Sequence, residues 1–524
     1  MTPKKTRTTG RIVAFIDIGT NSVRMLVVRL NPNHSYSILT RQKQLVRLGE
    51  GEFGVGEITD EAIDRACLVC RKFVDLARTF SAGEFIAVAT SAAREARNQS
   101  ELLCRLQKEA GLDIRVISGR EEARLIYIGV ASGLHLGNKQ AFFIDIGGGS
   151  TEVSLGNRQK YVMLDSFRLG AIRLTNMFFS RNPKGPVRAE QYRAIQQYVK
   201  NEIILTVQKI KKEKIDIAVG SSGTIINLAE IAQKAIPKET LSPEGVLTSR
   251  DLKKVIDLLC SLTLEERRNV TGINPERADI IIAGAVILET FMKELSIESI
   301  CTTGRGLQDG LLVDYLSRME NYPLFGTLSP RQTSVLQLGR SCGINEPHAR
   351  TVTRLALELF DSAKKAKLHG YGDRERELLE YAGFLHDVGS FISYTNHHAH
   401  SYYLIKNSEL LGFDLKEIAI MANIARFHRK KKPGKKNFDI PDLDTDGQRL
   451  VMVLSMFVRI AESLDRSHAG IVEHTEFVRA EKNTIALTVK SQGDCQLELW
   501  GVEAEQRAFE KVFSKHLVPE VIAP

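Results

Sequence analysis

The chain has 524 residues, 43% hydrophobic and 26% charged, an ordinary globular balance that argues against disorder. At roughly 100–200 residues per domain, this length implies about three to four domains. A net charge of +9 points to anionic partners, whether nucleic acid, an anionic membrane surface or a phosphate-rich substrate.

The N-terminal MTPKKTRTTGRIVAFIDIGT is basic and then apolar, and Asp17 interrupts the apolar run too early for a signal-peptide core. The longest apolar stretch, Ile280–Leu288, is far short of a membrane span. The seven cysteines are scattered, which suits a soluble, cytoplasmic protein. Cys67 and Cys70 form a CxxC inside a segment with helical spacing, so they are expected to pack on one helix face. No second pair lies nearby to build a zinc ribbon.

A repeat organises the first half. AFIDIGTNS begins at Ala14 and FFIDIGGGS at Phe142, with Phe, Ile, Asp, Ile, Gly and Ser at matching offsets. The spacing of Asp17 and Asp145 is a plausible length for one domain. In each copy a short apolar run, Ile12–Ile16 or Ala141–Ile144, predicts a buried strand closed by an Asp. A Gly-rich turn follows, where glycine permits positive φ and close backbone approach. Successive N–H groups in such a turn can converge on an anion, and the Asp beside it can hold a divalent cation. Two facing copies would make a phosphate-and-metal cleft. Further strand–turn units are predicted at Ile215–Val219 with Gly220 to Thr224, and at Ser299–Thr302 with glycines at 304, 306 and 310. A helix after Thr224 would offer its N-terminal amides to anions.

IDIGTNSVRMLV at 16–27, ATSAAREARN at 89–98, ISGREEARLIYIG at 117–129, IDIGGGSTEV at 144–153, RLGAIRLT at 168–175 and GSSGT at 220–224 occur in that order. The series resembles the exopolyphosphatase / guanosine-pentaphosphate phosphohydrolase family. The resemblance implies an α/β fold with duplicated ribonuclease-H-like domains of the actin, hexokinase and Hsp70 type. An all-α HD-like domain and a small α+β unit would follow. The expected boundaries are 1–135, 136–322, 323–473 and 474–524. Members commonly carry Arg-Glu in the last Gly-rich turn, where this chain has Gln308-Asp309, with Arg305 nearby as a substitute.

Hydrolysing a phosphoanhydride needs a positioned water, a base and neutralisation of charge on the phosphoryl oxygens. The resemblance implies that Glu122, rather than Glu121, activates water. It implies Mg²⁺, with Mn²⁺ as an alternative, at Asp145 and Glu152, with Asp17 as the matching acid of the first repeat. Asn21, Ser22, Arg94, Gly147, Gly148, Gly149, Ser150, Thr151, Gly223 and Thr224 are the expected phosphate-binding residues. The resemblance also implies inorganic polyphosphate or guanosine pentaphosphate as the substrate, and a homodimer. A phosphotransferase using ATP or ADP, and a non-catalytic polyphosphate or alarmone sensor, are the competing classes.

From about Ser329 the pattern turns helical, and nine of the twelve histidines lie from His348 to His474. His348, His386-Asp387 and Asp465 resemble the H…HD…D metal set of HD phosphohydrolases, a second candidate metal site that His400 and His428 could extend. That site could alternatively carry the chemistry. RFHRKKKPGKKNF at 426–438 reads as a solvated loop or a tether for polyanion. HTEFVRA, NTIALTVK and CQLELWGV alternate and predict strands.

Overall fold

The structure is a computed structural model that describes residues 10–50, 56–137, 139–157, 160–179, 184–236, 245–319, 328–408, 410–429, 440, 443–479 and 483–522. Most of the basic run at 426–438 lies outside them. The chain divides into two compact units, residues 1–31 with 37–326, and residues 32–36 with 327–524.

The first half of unit one runs β1 (Arg11–Ile18), β2 (Ser22–Leu30), β3 (Tyr36–Leu45), α1 (Asp60–Thr79), β4 (Glu84–Ala89), α2 (Gln99–Ala110), β5 (Ile114–Val116) and α3 (Gly119–Ala131). The strands order as β3-β2-β1-β4-β5, with β1 antiparallel to β2 and parallel to β4. β1 is wholly buried from Val13 to Ile18, as a central strand covered on both faces must be. Helix α1 starts at Thr59, whose hydroxyl accepts from the Ala62 amide at 3.3 Å. Its Cys67 and Cys70 both face the core, and burial pushes their thiols up to about 11 and about 12.

The second half repeats the plan. It runs β6 (Ala141–Ile146), β7 (Thr151–Gly156), β8 (Tyr161–Phe167), α4 (Ala189–Ile210), β9 (Ile217–Ser221), α5 (Ser222–Ala235), β10 (Val246–Thr248), α6 (Ser249–Ser261), α7 (Ile281–Glu294), β11 (Ser299–Thr302) and α8 (Leu307–Ser317). The order β8-β7-β6-β9-β11 reproduces that of the first sheet, with β10 added at the edge. This shared order, with antiparallel pairs (β1/β2; β6/β7 and β7/β8) beside parallel strands, is the ribonuclease-H type of mixed sheet.

Helices α3 and α8 meet through backbone. A Cβ on Gly310 would stand 1.9 Å from the Leu125 carbonyl oxygen, and one on Gly129 2.3 Å from that of Gly306. Each helix also leans on the sheet of the other half. Tyr127 of α3 sits edge-on to Phe143 at 5.4 Å, and Tyr315 of α8 edge-on to Phe15 at 5.5 Å.

Unit two contains α9 (Glu346–Lys365), α10 (Asp373–Leu385), α11 (His397–Asn407), α12 (Leu415–Phe427), α13 (Thr445–Leu464), β12 (Val472–Arg479), β13 (Thr484–Ser491), α14 (Gln496–Glu503) and β14 (His516–Ile522). The helices and the sheet β12-β13-β14 share one core, in which Phe457 of α13 meets Phe477 of β12 at 6.2 Å. HTEFVRA and NTIALTVK form β12 and β13, but CQLELWGV forms α14 instead of a strand. Four residues of alternation do not fix a period. Gly501 packs against α13, where a Cβ would stand 3.1 Å from the Ser463 Cβ and 3.4 Å from its carbonyl oxygen.

Candidate active site

The two DIG turns are built alike. Gly19 N–H donates to the Ser22 carbonyl at 3.1 Å, and Gly147 N–H to the Ser150 carbonyl at 2.9 Å. Asp17 and Asp145 are the penultimate residues of the strands before them. The glycines of these turns serve close approach rather than positive φ. A Cβ on Gly148 would meet Thr20 at 3.2 Å, and one on Gly170 would stand 2.2 Å from the Gly148 carbonyl oxygen. The positive φ of the region falls on Ser222, at 84°. Across β1/β2 Asp17 pairs with Arg24, and across β6/β7 Asp145 pairs with Glu152. Equivalent positions of the duplication thus carry a cation in one half and an acid in the other.

Between the turns lies a cleft of about 500 Å³. It brings together Glu122, Asp17, Asp145, Asn21, Ser22, Gly147, Gly148, Gly149, Ser150, Gly223 and Thr224. Glu122 sits in the first turn of α3, where Ser118 caps the helix by accepting from the Glu121 amide at 3.2 Å. Its carboxylate accepts from Arg94 Nη1 at 3.1 Å. Arg94, on the short helix Ser91–Glu95, reaches the cleft through Glu122 rather than lining it. Glu121 turns away into a salt bridge with Arg124 at 2.8 Å. Glu152 lies behind Asp145 and accepts from the Ser166 hydroxyl at 2.8 Å. Thr151 is fully buried with its hydroxyl donating to the Leu169 carbonyl, so it braces the turn and does not line the cleft.

Burial governs the acids. It raises Glu122 well above the usual carboxylate range, with the Glu152 charge adding to it and Arg94 opposing it. Burial and the Asp145 charge lift Glu152 to about 7. Burial lifts Asp17 to about 6, against the pull of Arg24. Burial also raises Asp145, offset by the Ser221 hydroxyl that donates to it at 2.5 Å.

The cleft also holds basic residues that the sequence reading did not single out: Arg24, Arg41, Lys43 and Arg277. Burial, then the charges of Arg277 and Arg24, depress Lys43 to about 8. Burial and Arg24 depress Arg277 to about 10. Burial is the larger cause in both, mutual repulsion adds to it, and Asp145 in the same cleft works against it at Arg277. Arg24 was visible inside the first motif, but nothing marked Lys43 or Arg277 as different from surface cations. In the last turn Asp309 caps α8 by accepting from the Gly306 amide at 3.0 Å. Gln308 faces the cleft with its amide nitrogen unpaired. Arg305 is held by the Gly129 carbonyl at 2.8 Å and Ser132 at 2.9 Å.

Asp17 Oδ1 is buried with no hydrogen-bond partner. Asp17 and Asp145 line the cleft as hard oxygen donors of the kind a Mg²⁺-like ion takes, whereas Glu152 stands behind Asp145 and does not line it.

In unit two, His348, His386, Asp387 and Asp465 gather in one buried region. His348 Nδ1 is 2.7 Å from Asp465, and Glu462 takes the place beside both His348 and His386 at 3.1 Å. His397 and His428 join Asp387, and His400 lies outside the cluster. Glu462 and His397 escaped the sequence reading because neither belongs to the short H…HD…D pattern.

Residues 26–319 match the model of the Ppx/GppA phosphatase family, and residues 331–506 match that of Ppx/GppA phosphatase domain III. Among solved structures, an exopolyphosphatase from Cytophaga hutchinsonii is 28% identical, over 59% of this chain and 99% of its own, with a TM-score of 0.54. An exopolyphosphatase-like protein is 26% identical, over 59% of this chain and 98% of its own, with a TM-score of 0.52. Among the described residues no helix is long and apolar enough to cross a membrane.

Proposed function

This chain belongs to the Ppx/GppA phosphatase family, a phosphoanhydride hydrolase by that membership, and on this premise we propose that it is an exopolyphosphatase. It removes the terminal phosphate of inorganic polyphosphate as orthophosphate. One observation carries the reading: buried Glu122 shares one cleft with Arg24, Lys43 and Arg277, cations suited to a polyanion.

The chain end enters with its oxygens toward the amides of Gly147 to Ser150 and the N-terminus of α5, where Gly223 and Thr224 lie. Arg277, whose guanidinium lies 3.4 Å from the Thr224 hydroxyl, balances charge from the second half, and Arg24 and Lys43 from the first. Glu122, unprotonated and steered by Arg94, accepts a proton from water. The water oxygen bonds to the terminal phosphorus, the bridging P–O bond breaks, and the shortened chain departs with the electron pair. Asp17 and Asp145, backed by Glu152, are the residues to hold Mg²⁺, which when bound neutralises phosphoryl charge. Asn21, with both side-chain polar atoms buried and unpaired, contributes to holding phosphate. A cytoplasmic homodimer belongs to the same proposal.

The test is phosphate release with Mg²⁺ from polyphosphate and from guanosine pentaphosphate, by wild type and Glu122→Ala. Release from polyphosphate that collapses in the variant supports the reading. Release from the nucleotide alone replaces the substrate, and release that survives Glu122→Ala overturns the mechanism.

A further inference from the structure

The buried histidines of unit two pose a hydrogen-bonding problem. In each of four rings Nδ1 already has an acceptor. His386 Nδ1 lies 2.6 Å from the Gly383 carbonyl, His428 Nδ1 2.6 Å from that of Ala425, and His397 Nδ1 2.9 Å from that of Tyr394. His348 Nδ1 lies 2.7 Å from the Asp465 carboxylate. Each Nδ1 therefore carries the proton, and each neutral ring presents a bare lone pair at Nε2.

Those lone pairs converge. His397 Nε2 and His428 Nε2 are 3.1 Å apart, and Asp387 Oδ1 stands 3.1 Å from the first and 3.7 Å from the second. His348 Nε2 and His386 Nε2 each lie 3.1 Å from the same Glu462 oxygen. Acceptors thus face acceptors in two adjacent groups, linked by the His386 and His428 rings with centroids 5.1 Å apart. Protons on Nε2 could serve His348 and His386, which face Glu462, but His397 and His428 point their Nε2 atoms at each other, where two protons would clash. A divalent cation in each group takes up every lone pair without adding a buried imidazolium.

We propose that unit two is a two-ion transition-metal centre, with His348, His386 and Glu462 binding one ion and Asp387, His397 and His428 the other. Each triad supplies two imidazole nitrogens and one carboxylate. That donor set selects a first-row transition metal over Mg²⁺ or Ca²⁺. Asp465 is an outer partner that fixes the His348 tautomer, as the three backbone carbonyls do for the other rings. This centre stands or falls apart from the hydrolase reading of the cleft, whose acids offer only oxygen donors.

The test uses the full chain, stripped with chelator and reloaded with Mn²⁺. Pulsed electron paramagnetic resonance reads imidazole nitrogen coupled to the ion, and elemental analysis counts bound Mn²⁺. Wild type is expected to show imidazole coupling. His428→Gln and His348→Gln, each checked for folding by circular dichroism, are each expected to bind about one ion fewer per chain. Asp465→Asn is expected to weaken binding about 10–100-fold while keeping the count at saturation. Absence of imidazole coupling in saturated wild type, which involves no substitution, overturns the proposal. So does an undiminished count in folded His428→Gln or His348→Gln.

Discussion

Arg94 donates through one nitrogen, Nη1, to the Glu122 carboxylate at 3.1 Å and to the Ile117 carbonyl at 2.8 Å. The arginine is thereby fixed to the backbone just before α3 and holds the acid that α3 carries. Replacing Glu122 with Gln removes the proton acceptor without changing its shape. Its kcat on polyphosphate is expected to fall about 10²–10⁴-fold. Glu121→Gln, which disturbs only the pairing with Arg124, serves as the control and should stay near wild type in the same steady-state assay.

The pH profile is set by the same pair. Glu122 works as the carboxylate, so kcat rises as pH climbs through its raised pKa. Arg94 opposes that rise in pKa. In Arg94→Ala the ascending limb of kcat against pH should move to higher pH, while Arg94→Lys should keep part of the wild-type position. A limb that does not move in Arg94→Ala would show that Glu122 does not set it.

Asn21 holds two unpaired polar atoms in a buried position. An unsatisfied buried group costs about 1–3 kcal/mol. Asn21→Leu should therefore stabilise the substrate-free protein by about 1 kcal/mol or more, read as a higher midpoint in denaturant. The same change should raise KM for polyphosphate.

Buried acids make stability depend on pH. Asp17 rises from 3.8 to about 6 and Glu152 from 4.5 to about 7. The folded chain keeps protons in this window that the unfolded chain has released, so stability falls as pH rises through it. In chelator, Tm should drop between about pH 4 and about pH 7. Mg²⁺ should raise Tm more at about pH 8 than at about pH 5, because protons compete with it for the same oxygens. Calorimetry with and without Mg²⁺ reads both effects.

Gly310 leaves no room for a Cβ against the Leu125 carbonyl. Gly310→Ala should cost about 1–3 kcal/mol and lower kcat, since it pushes on the helix that carries Glu122. Gly304→Ala, where a Cβ meets nothing within 4 Å, is the matched control for stability.

The parts legible in sequence were those with local signatures. The two DIG turns could be read because duplication wrote Asp17 and Asp145 into matching frames. Strands β1, β6 and β11 followed from short apolar runs, while β9 begins at Ile217 instead of Ile215. Glu122 was distinguished from Glu121 only by resemblance, since adjacent acids in a first helical turn look alike until one is paired with Arg124. Lys43 and Arg277 were illegible because their meaning lies in the cleft they share, which no local window contains. Helix α14 runs against the alternation of CQLELWGV, a segment too short for its period to decide its form.

The crossing of α3 and α8 has a mechanical meaning. Each helix closes one half of unit one in sequence yet rests on the sheet of the other, and the two touch where glycines let backbone meet backbone. The crossing ties the two halves together at one point, since neither helix can shift without disturbing the other half's sheet. Glu122 sits one turn from that contact, so the base is braced from both halves of the unit at once.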